Sequence, residues 1–472
     1  MNSAEYNVLF IISDQHKKSV AGCYGDRCVR TPNIDKLSRQ GVLFTRAYCP
    51  SPLCGPSRSA TLTGTHVHTC GVWHHGYMES LPELSTLGSV WRDAGHATGA
   101  IGKLHAAGET PERDLGFDEQ ALRIYTPLPG DYWETVGEEA VRRYASYLVP
   151  KRPRRDVYNC ANAPLDMDEN LMLDHLVVDR SIGFLKRHRR DRFFLWVGLE
   201  KPHPEWYVPE RFQKFYRKDR VPVPETVDGE SVRSVPETIL PKWMRRGTWP
   251  EDKVRGAIAA YYANVTYMDH NVGRLLAALE DLSLADRTLV VYTSDHGDNL
   301  FEHGLIQKHC FYEAAVAVPL MIACPGLLPA DRECTSLASL IDLFPTLVEL
   351  TGFEAPPTLE GRSLAAAARG EDASPDEAVF SEFYGFGMPM RMIRTREWKY
   401  VYAQDGTAML FDTRSDPFET TNLAGDSGHE GVCRELKARV LSGWEFPREG
   451  IPPDTEALGV KSRQAARERK AQ

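Results

Sequence analysis

Long apolar runs are missing from this sequence of 472 residues. No stretch approaches the ~20 consecutive apolar residues that a membrane-spanning helix requires, so a membrane partner is not expected. The opening MNSAEYNVLFIISDQ also lacks a basic region ahead of its apolar residues and a small-residue cleavage site. It therefore reads as a strand instead of a signal peptide, and a soluble, cytoplasmic protein is expected. Cys-x-x-Cys pairs are absent: the ten cysteines show no regular spacing, which argues against a disulfide framework or a zinc motif. Most of them read as small buried apolar residues. A surplus of positive charge is missing too, since the net charge is −9 and the basic residues are dispersed. Nucleic acid is not an expected partner, and any anion must be drawn by a local site.

What is present is ordinary globular composition, 42% hydrophobic and 26% charged, enough for one large domain and a smaller one. Five apolar runs read as buried strands: NVLFIIS (7–13), ATGAIG (97–102), RFFLWVGL (192–199), TLVVYTS (288–294) and VPLMIAC (318–324). Helical periodicity separates them in NIDKLSRQG, LSTLGSVWRDAG, ENLMLDHLVVDRSIGFLKRH and the run from Arg255 to Leu282. Strand alternating with helix predicts a doubly wound α/β sheet, whose ligands sit beyond the carboxyl ends of the strands.

The residues just after those strands carry chemistry. Asp14 and Gln15 follow the first, Lys103 and His105 the second, Lys201 and His203 the third, Asp295 and His296 the fourth. Each alone has a plainer reading: Asp caps helices, Lys is usually solvated, and a lone His is more often structural. Their joint occurrence at strand ends points to one site. Between the first two strands lies CGPSR (54–58). Pro56 suits the first turn of a helix, which places Cys54 where backbone N–H groups favour negative charge and Arg58 about one turn further on. A thiolate nucleophile is one reading and a buried thiol in a Gly-Pro turn the other. The loop of cysteine phosphatases needs five residues between Cys and Arg, and here there are three.

Cys54-Gly55-Pro56-Ser57-Arg58 followed by Leu62-Thr63-Gly64 resembles the signature of type I sulfatases, in which the cysteine is oxidised to formylglycine. The likeness extends over DQ after the first strand, TPNIDKLSRQGVLFTRAY (31–48), GKLH, KPHP, SDHGD, Lys308 in HGLIQKH, and the segment 396–424. It implies an alkaline phosphatase-like fold with a mostly parallel central sheet over residues 1–370. A smaller C-terminal α+β subdomain with a short antiparallel sheet would occupy residues 371–472.

The resemblance also implies a mechanism and roles. A hydrated formylglycine attacks the sulfur of a small anionic sulfate ester, expels the alcohol and then eliminates sulfate. Asp14, Gln15, Asp295 and His296 would hold one divalent metal. Arg58, Lys103 and Lys308 would neutralise the non-bridging oxygens, His105 would assist the nucleophile, and His203 would protonate the leaving oxygen. A formylglycine-generating enzyme becomes a partner during maturation. Gln15 and His296 depart from the usual oxygen-rich set. The imidazole favours manganese or a similar transition metal over calcium, and the pairing looks more like the branch of choline sulfatases and phosphonate monoester hydrolases. Phosphonate or phosphodiester hydrolysis is therefore the alternative on the same site, and a silent metal-binding protein with unmodified Cys54 the alternative of another class. Thr65 stands where the extended signature usually carries Arg. Trp73, His74 and His75 are either pocket lining or core, and KRPRR (151–155) is expected in a solvated loop. The basic tail VKSRQAARERKAQ is either disordered or an arm onto a neighbouring subunit, which leaves a homo-oligomer open.

Overall fold

The computed structural model describes residues 6–74, 84–106, 114–122, 168–204, 206–233, 235–240, 244, 249–371, 378–385 and 387–444. KRPRR, His75 and the basic tail lie outside them. The main sheet is built from β1 (Asn7–Asp14), β2 (Val42–Tyr48), β3 (Ala97–Gly102), β4 (Glu119–Ala121), β5 (Phe193–Pro202), β6 (Thr288–Ser294), β7 (Leu320–Ala323) and β8 (Arg332–Ser339). Their order across the sheet is β4-β3-β5-β1-β6-β7-β2-β8. All neighbouring pairs are parallel except those of β7, which runs antiparallel to β6 and β2.

The sheet is apolar on both faces because helices cover both. In β1, Val8, Phe10 and Ile12 face one core layer and Leu9 and Ile11 the other. The helices Cys54–Thr63, Leu87–Asp93 and Leu343–Thr351 supply the first layer through residues such as Leu62, Trp91 and Leu347. The second is supplied by Pro32–Gln40, Leu173–Arg187 and Glu251–Asp281, through Leu37, Val177 and Leu275 among others. This is the doubly wound arrangement expected of buried strands that alternate with helices. Phe10 of β1 stacks on Trp196 of β5 with ring centroids 4.7 Å apart, tying the two central strands together on one face.

Two strands had no clear sequence signal. In β2 the partly exposed Thr45 and Arg46 interrupt the apolar pattern, and β8 opens with the polar residues of RECTSLAS. The run 318–324 contains β7, but its antiparallel direction against β6 and β2 is not something its composition reports.

The second sheet follows the first in sequence: β9 (Val379–Phe383), β10 (Met390–Arg394), β11 (Trp398–Ala403) and β12 (Ala408–Asp412), antiparallel throughout in the order β12-β11-β10-β9. One face packs Ile393, Tyr400 and Leu410 under the helix Glu430–Leu441 through Leu436 and Val440. The other turns Met392, Val401 and Phe411 into the core of the main sheet. Glu382 of β9 reaches back to the segment that flanks Cys54. Its N–H donates to Pro50 O at 2.8 Å, and its carboxylate accepts from His68 N at 2.9 Å and His68 Nδ1 at 2.8 Å. Among the described residues no helix is long and apolar enough to cross a membrane.

Candidate active site

Strand register brings the sequence-distant pairs together. Ser13 of β1 pairs with Ser294 of β6, so Asp14 and Asp295 leave adjacent parallel strands at the same level. Gln15 N then donates to Asp295 Oδ1 at 3.0 Å. On the other side, β5 lies between β1 and β3, and Gly102 pairs with Gly198. Lys103 N donates to Gly198 O at 2.8 Å, and a Cβ at Gly198 would lie 1.9 Å from Lys103 O. Only glycine at 198 lets the chain leaving β3 cross that closely, which delivers Lys103 and His105 to the rim shared with His203.

Cys54 opens the helix Cys54–Thr63 after an extended Leu53, and the helix ends on left-handed Gly64. All ten of its residues are buried, and Ser57 Oγ anchors its first turn by donating to Asp295 O at 2.6 Å. The Cys54 sulfur lies 3.1 Å from His296 Nε2, 3.0 Å from Lys308 Nζ and 3.8 Å from Asp14 Oδ1. Burial alone would raise the pKa of the thiol. Lys308, Lys103 and His296 outweigh it, and a hydrogen bond to His105 adds to them, so its pKa falls well below the usual thiol value.

Asp14, Asp295, His296 and the Cys54 sulfur each offer a ligand atom, and these atoms lie within 4.8 Å of one another. Their orientation suits a metal ion. His296 Nδ1 donates to Gly297 O at 2.9 Å, which turns Nε2 to the centre, where a metal ion would take the place of the Nε2 proton. Gln15 Nε2 donates to Asp298 Oδ2 at 2.5 Å, which turns the amide oxygen inward. Asp14 is paired with Lys103 through Oδ2, which leaves Oδ1 toward the centre. Asp295 Oδ2 accepts from Arg58 Nε at 2.7 Å, and its Oδ1, which also accepts from Gln15 N at 3.0 Å and His296 N at 2.9 Å, is the oxygen nearer the centre. Burial and the Cys54 sulfur push the Asp14 carboxyl up, but Lys103, His203 and Lys308 hold it below the usual carboxylate range. Carboxylate oxygen with one imidazole nitrogen is a set that manganese or zinc accepts readily.

Arg58, expected to neutralise the ester oxygens, is also bound to the framework of the site. Its Nε goes to Asp295, its NH1 donates to Lys103 O at 2.6 Å, and its NH2 donates to Ser13 O at 3.2 Å. Each guanidinium nitrogen is committed to a protein oxygen, and the side chain is enclosed at 0% exposure. Arg58 ties the ends of β1, β3 and β6 together beneath the site. Lys103 lies beside Asp14 and Lys308 beside Cys54. His203 keeps a partly accessible edge, and its Nδ1 donates to Pro204 O at 2.5 Å. Loss of surrounding water comes first among the causes that push its pKa down to about 3, followed on the lowering side by Lys308 and Lys103. Its ring is therefore neutral near pH 7 with Nε2 unprotonated.

Three contributors carried no assigned role in the sequence reading. Asp298 stands in the quoted SDHGD, yet its hold on the Gln15 amide becomes visible only once the strands are placed. Tyr261, inside the long helix Glu251–Asp281, donates to Gln15 O at 2.6 Å and accepts from Lys17 N at 2.8 Å. Asp174 accepts from Glu200 N at 2.8 Å and Lys201 N at 3.0 Å, fixing the strand end that leads to His203. Thr65 is buried against Thr63, Oγ1 to Oγ1 2.8 Å. Trp73 packs edge-to-face on Tyr384 at 4.7 Å and so belongs to the core beside the second sheet.

Known proteins share the family and the fold of this chain. The family described as Sulfatase matches residues 6–353 of this chain, and the C-terminal family described as N-sulphoglucosamine sulphohydrolase matches residues 301–444. The chain belongs to the sulfatase family. It is 31% identical over 401 residues to iduronate 2-sulfatase of Homo sapiens, covering 74% of this chain and 70% of that protein. It is 28% identical over 457 residues to a sulfatase of Formosa agariphila, covering 92% of this chain and 85% of that protein. Among solved structures, the phosphonate monoester hydrolase of Agrobacterium radiobacter superposes with a TM-score of 0.78 at 24% identity, covering 93% of this chain and 95% of that one. The fold is thus shared with phosphonate hydrolases, while the family makes this sulfatase a sulfuric ester hydrolase.

Proposed function

We propose that this sulfatase hydrolyses the sulfate ester of a small organic molecule, with formylglycine made from Cys54 as nucleophile and one divalent metal ion held by Asp14, Gln15, Asp295 and His296. The observation that carries the reading is the position of the residue-54 side chain, 3.1 Å from His296 Nε2 and 3.0 Å from Lys308 Nζ. A hydrated formylglycine supplies a hydroxyl nucleophile, and the metal supplies positive charge to acidify it.

The chain's own residues do the rest. Lys308 lies beside the nucleophile and Lys103 beside Asp14, where their ammonium groups meet the non-bridging oxygens of the ester. Arg58 holds the Asp295 carboxylate in place through its 2.7 Å pair. His105, hydrogen-bonded to the residue-54 side chain, is placed to accept the second hydroxyl proton on sulfate release. His203 protonates the leaving oxygen after gaining a proton as the anionic ester arrives beside it, since its neutral resting ring has no hydrogen on Nε2. Imidazole at His296 favours manganese or a similar transition metal over calcium.

Relatives named as arylsulfatases and iduronate 2-sulfatases make aryl sulfates and sulfated sugars the first substrates to try. Intact mass tests the nucleophile, because conversion of Cys54 to formylglycine removes about 18 Da by atomic bookkeeping. The ester class is tested by comparing kcat/KM on 4-nitrophenyl sulfate with that on a phenylphosphonate monoester of the same leaving group. Sulfate is expected to be preferred. A tenfold phosphonate preference, about 1.4 kcal/mol of differential transition-state binding, would assign the site to phosphorus instead.

A further inference from the structure

With position 54 still a cysteine, the cluster has the shape of a different metal site. A tetrahedral zinc ion bonded at ~2.0 Å to nitrogen and oxygen and ~2.3 Å to sulfur separates its ligand atoms by about 3.3 to 3.6 Å. Here Cys54 Sγ to His296 Nε2 is 3.1 Å, Sγ to Asp14 Oδ1 3.8 Å, Nε2 to Asp14 Oδ1 3.9 Å and Nε2 to Asp295 Oδ1 3.6 Å. These four of the six edges lie within about 0.6 Å of the ideal tetrahedron, and all four ligand atoms lie within 4.8 Å of one another.

In this form the inward-facing amide oxygen of Gln15, the fourth ligand of the catalytic reading, is engaged by Lys308. Gln15 Oε1 accepts from Lys308 Nζ at 2.7 Å, and the same ammonium lies 3.0 Å from the sulfur. The fourth corner thus belongs to Cys54, with Lys308 donating to the thiolate from outside the coordination shell, as outer partners commonly do at metal centres. Replacing an amide oxygen by a thiolate changes the preferred ion. Soft sulfur with imidazole selects zinc, cadmium or cobalt over manganese, magnesium or calcium.

We propose that the unmodified chain binds one zinc-like ion tetrahedrally through Cys54, His296, Asp14 and Asp295, a site that ceases to exist once position 54 loses its sulfur. This rests on the reading of Asp14, Asp295 and His296 as metal ligands. Zinc bound this way occupies both the nucleophile position and the catalytic metal position, so a chain that escapes conversion is held silent and loaded with a different metal.

The test uses full-length protein produced without a formylglycine-generating activity, with Cys54 confirmed by intact mass, stripped by chelation and titrated with Co2+. One equivalent is expected to give tetrahedral visible bands together with a sulfur-to-cobalt charge-transfer band, and one equivalent of Zn2+ is expected to displace both. Cys54→Ser is expected to lose the charge-transfer band and to bind Zn2+ at least tenfold more weakly. A charge-transfer band that survives in Cys54→Ser assigns the sulfur to another cysteine and overturns the proposal. Equal Co2+ binding by wild type and Cys54→Ser with no such band also overturns it, while leaving Asp14, Asp295 and His296 as metal ligands. Failure of either form to bind Co2+ or Mn2+ overturns both readings.

Discussion

Lys308 Nζ lies 3.0 Å from Cys54 Sγ and 2.7 Å from Gln15 Oε1, so one ammonium group touches both the nucleophile position and a proposed metal ligand. In the proposed mechanism its charge would meet the negative charge that builds up on the ester. Lys308→Met is expected to lower kcat on 4-nitrophenyl sulfate by about 10²- to 10³-fold, the cost of removing one preorganised donor. An unchanged kcat with a raised KM would make Lys308 a ground-state binding residue only.

Cys54→Ala is expected to abolish turnover while the circular dichroism spectrum and unfolding midpoint stay close to wild type, because one small buried side chain is replaced by another. Cys54→Ser is expected to stay inactive. A serine sulfate ester has no second hydroxyl with which to eliminate sulfate. Multiple turnovers by the serine variant would rule out the proposed release step.

Arg58 is enclosed with Asp295, so its loss should act on the metal and the fold before it acts on substrate. Arg58→Lys is expected to weaken Mn2+ binding by about 10- to 100-fold in a calorimetric titration, as loss of an outer partner does at other metal centres. Arg58→Met, which leaves a buried carboxylate unpaired, should lower stability by about 3–5 kcal/mol in chemical denaturation. Unchanged Mn2+ affinity with reduced kcat would return Arg58 to the ester oxygens.

Asp174 is pushed up to about 7 from 3.8, first by burial and then by the neighbouring Glu200. Between those values the folded chain binds the proton more tightly than the unfolded chain. Stability therefore falls as pH rises through that window. Relative to Asp174→Asn, which cannot ionise, the wild type is expected to lose on the order of 3 kcal/mol between pH 4 and pH 7. Denaturant midpoints of both proteins across that range measure the difference; parallel curves would show that Asp174 stays ionised throughout.

The strand ends were legible because a buried parallel strand is a plain apolar run, and Asp14, Lys103 and Asp295 stand just past such runs. Direction was not legible. The sequence supplies a guanidinium one turn after Cys54, but whether it faces the ester or Asp295 depends on β3 and β6, which arrive 45 and 237 residues away from it. The same holds for Tyr261, whose bond to Gln15 spans 246 residues, and for Glu382, whose carboxylate reaches His68 across 314 residues. Composition could not report β2 or β8 either, because Thr45, Arg46 and the polar start of β8 break the apolar pattern where these strands run toward the edge of the sheet.

The enclosure of Cys54 also sets an order of events in time. In the folded chain this residue is 1% exposed, shut in by His296 and Lys308, and Lys308 follows it by 254 residues. A ribosome adding about 5–20 residues per second needs roughly 10–50 s to cover that distance. Throughout that interval the walls of the site are still unmade and CGPSR is an ordinary exposed peptide. An enzyme that modifies Cys54 must therefore act on the growing or unfolded chain. On the proposed conversion of Cys54, the proportion of converted protein would be decided by a race between that enzyme and the closing of the sheet.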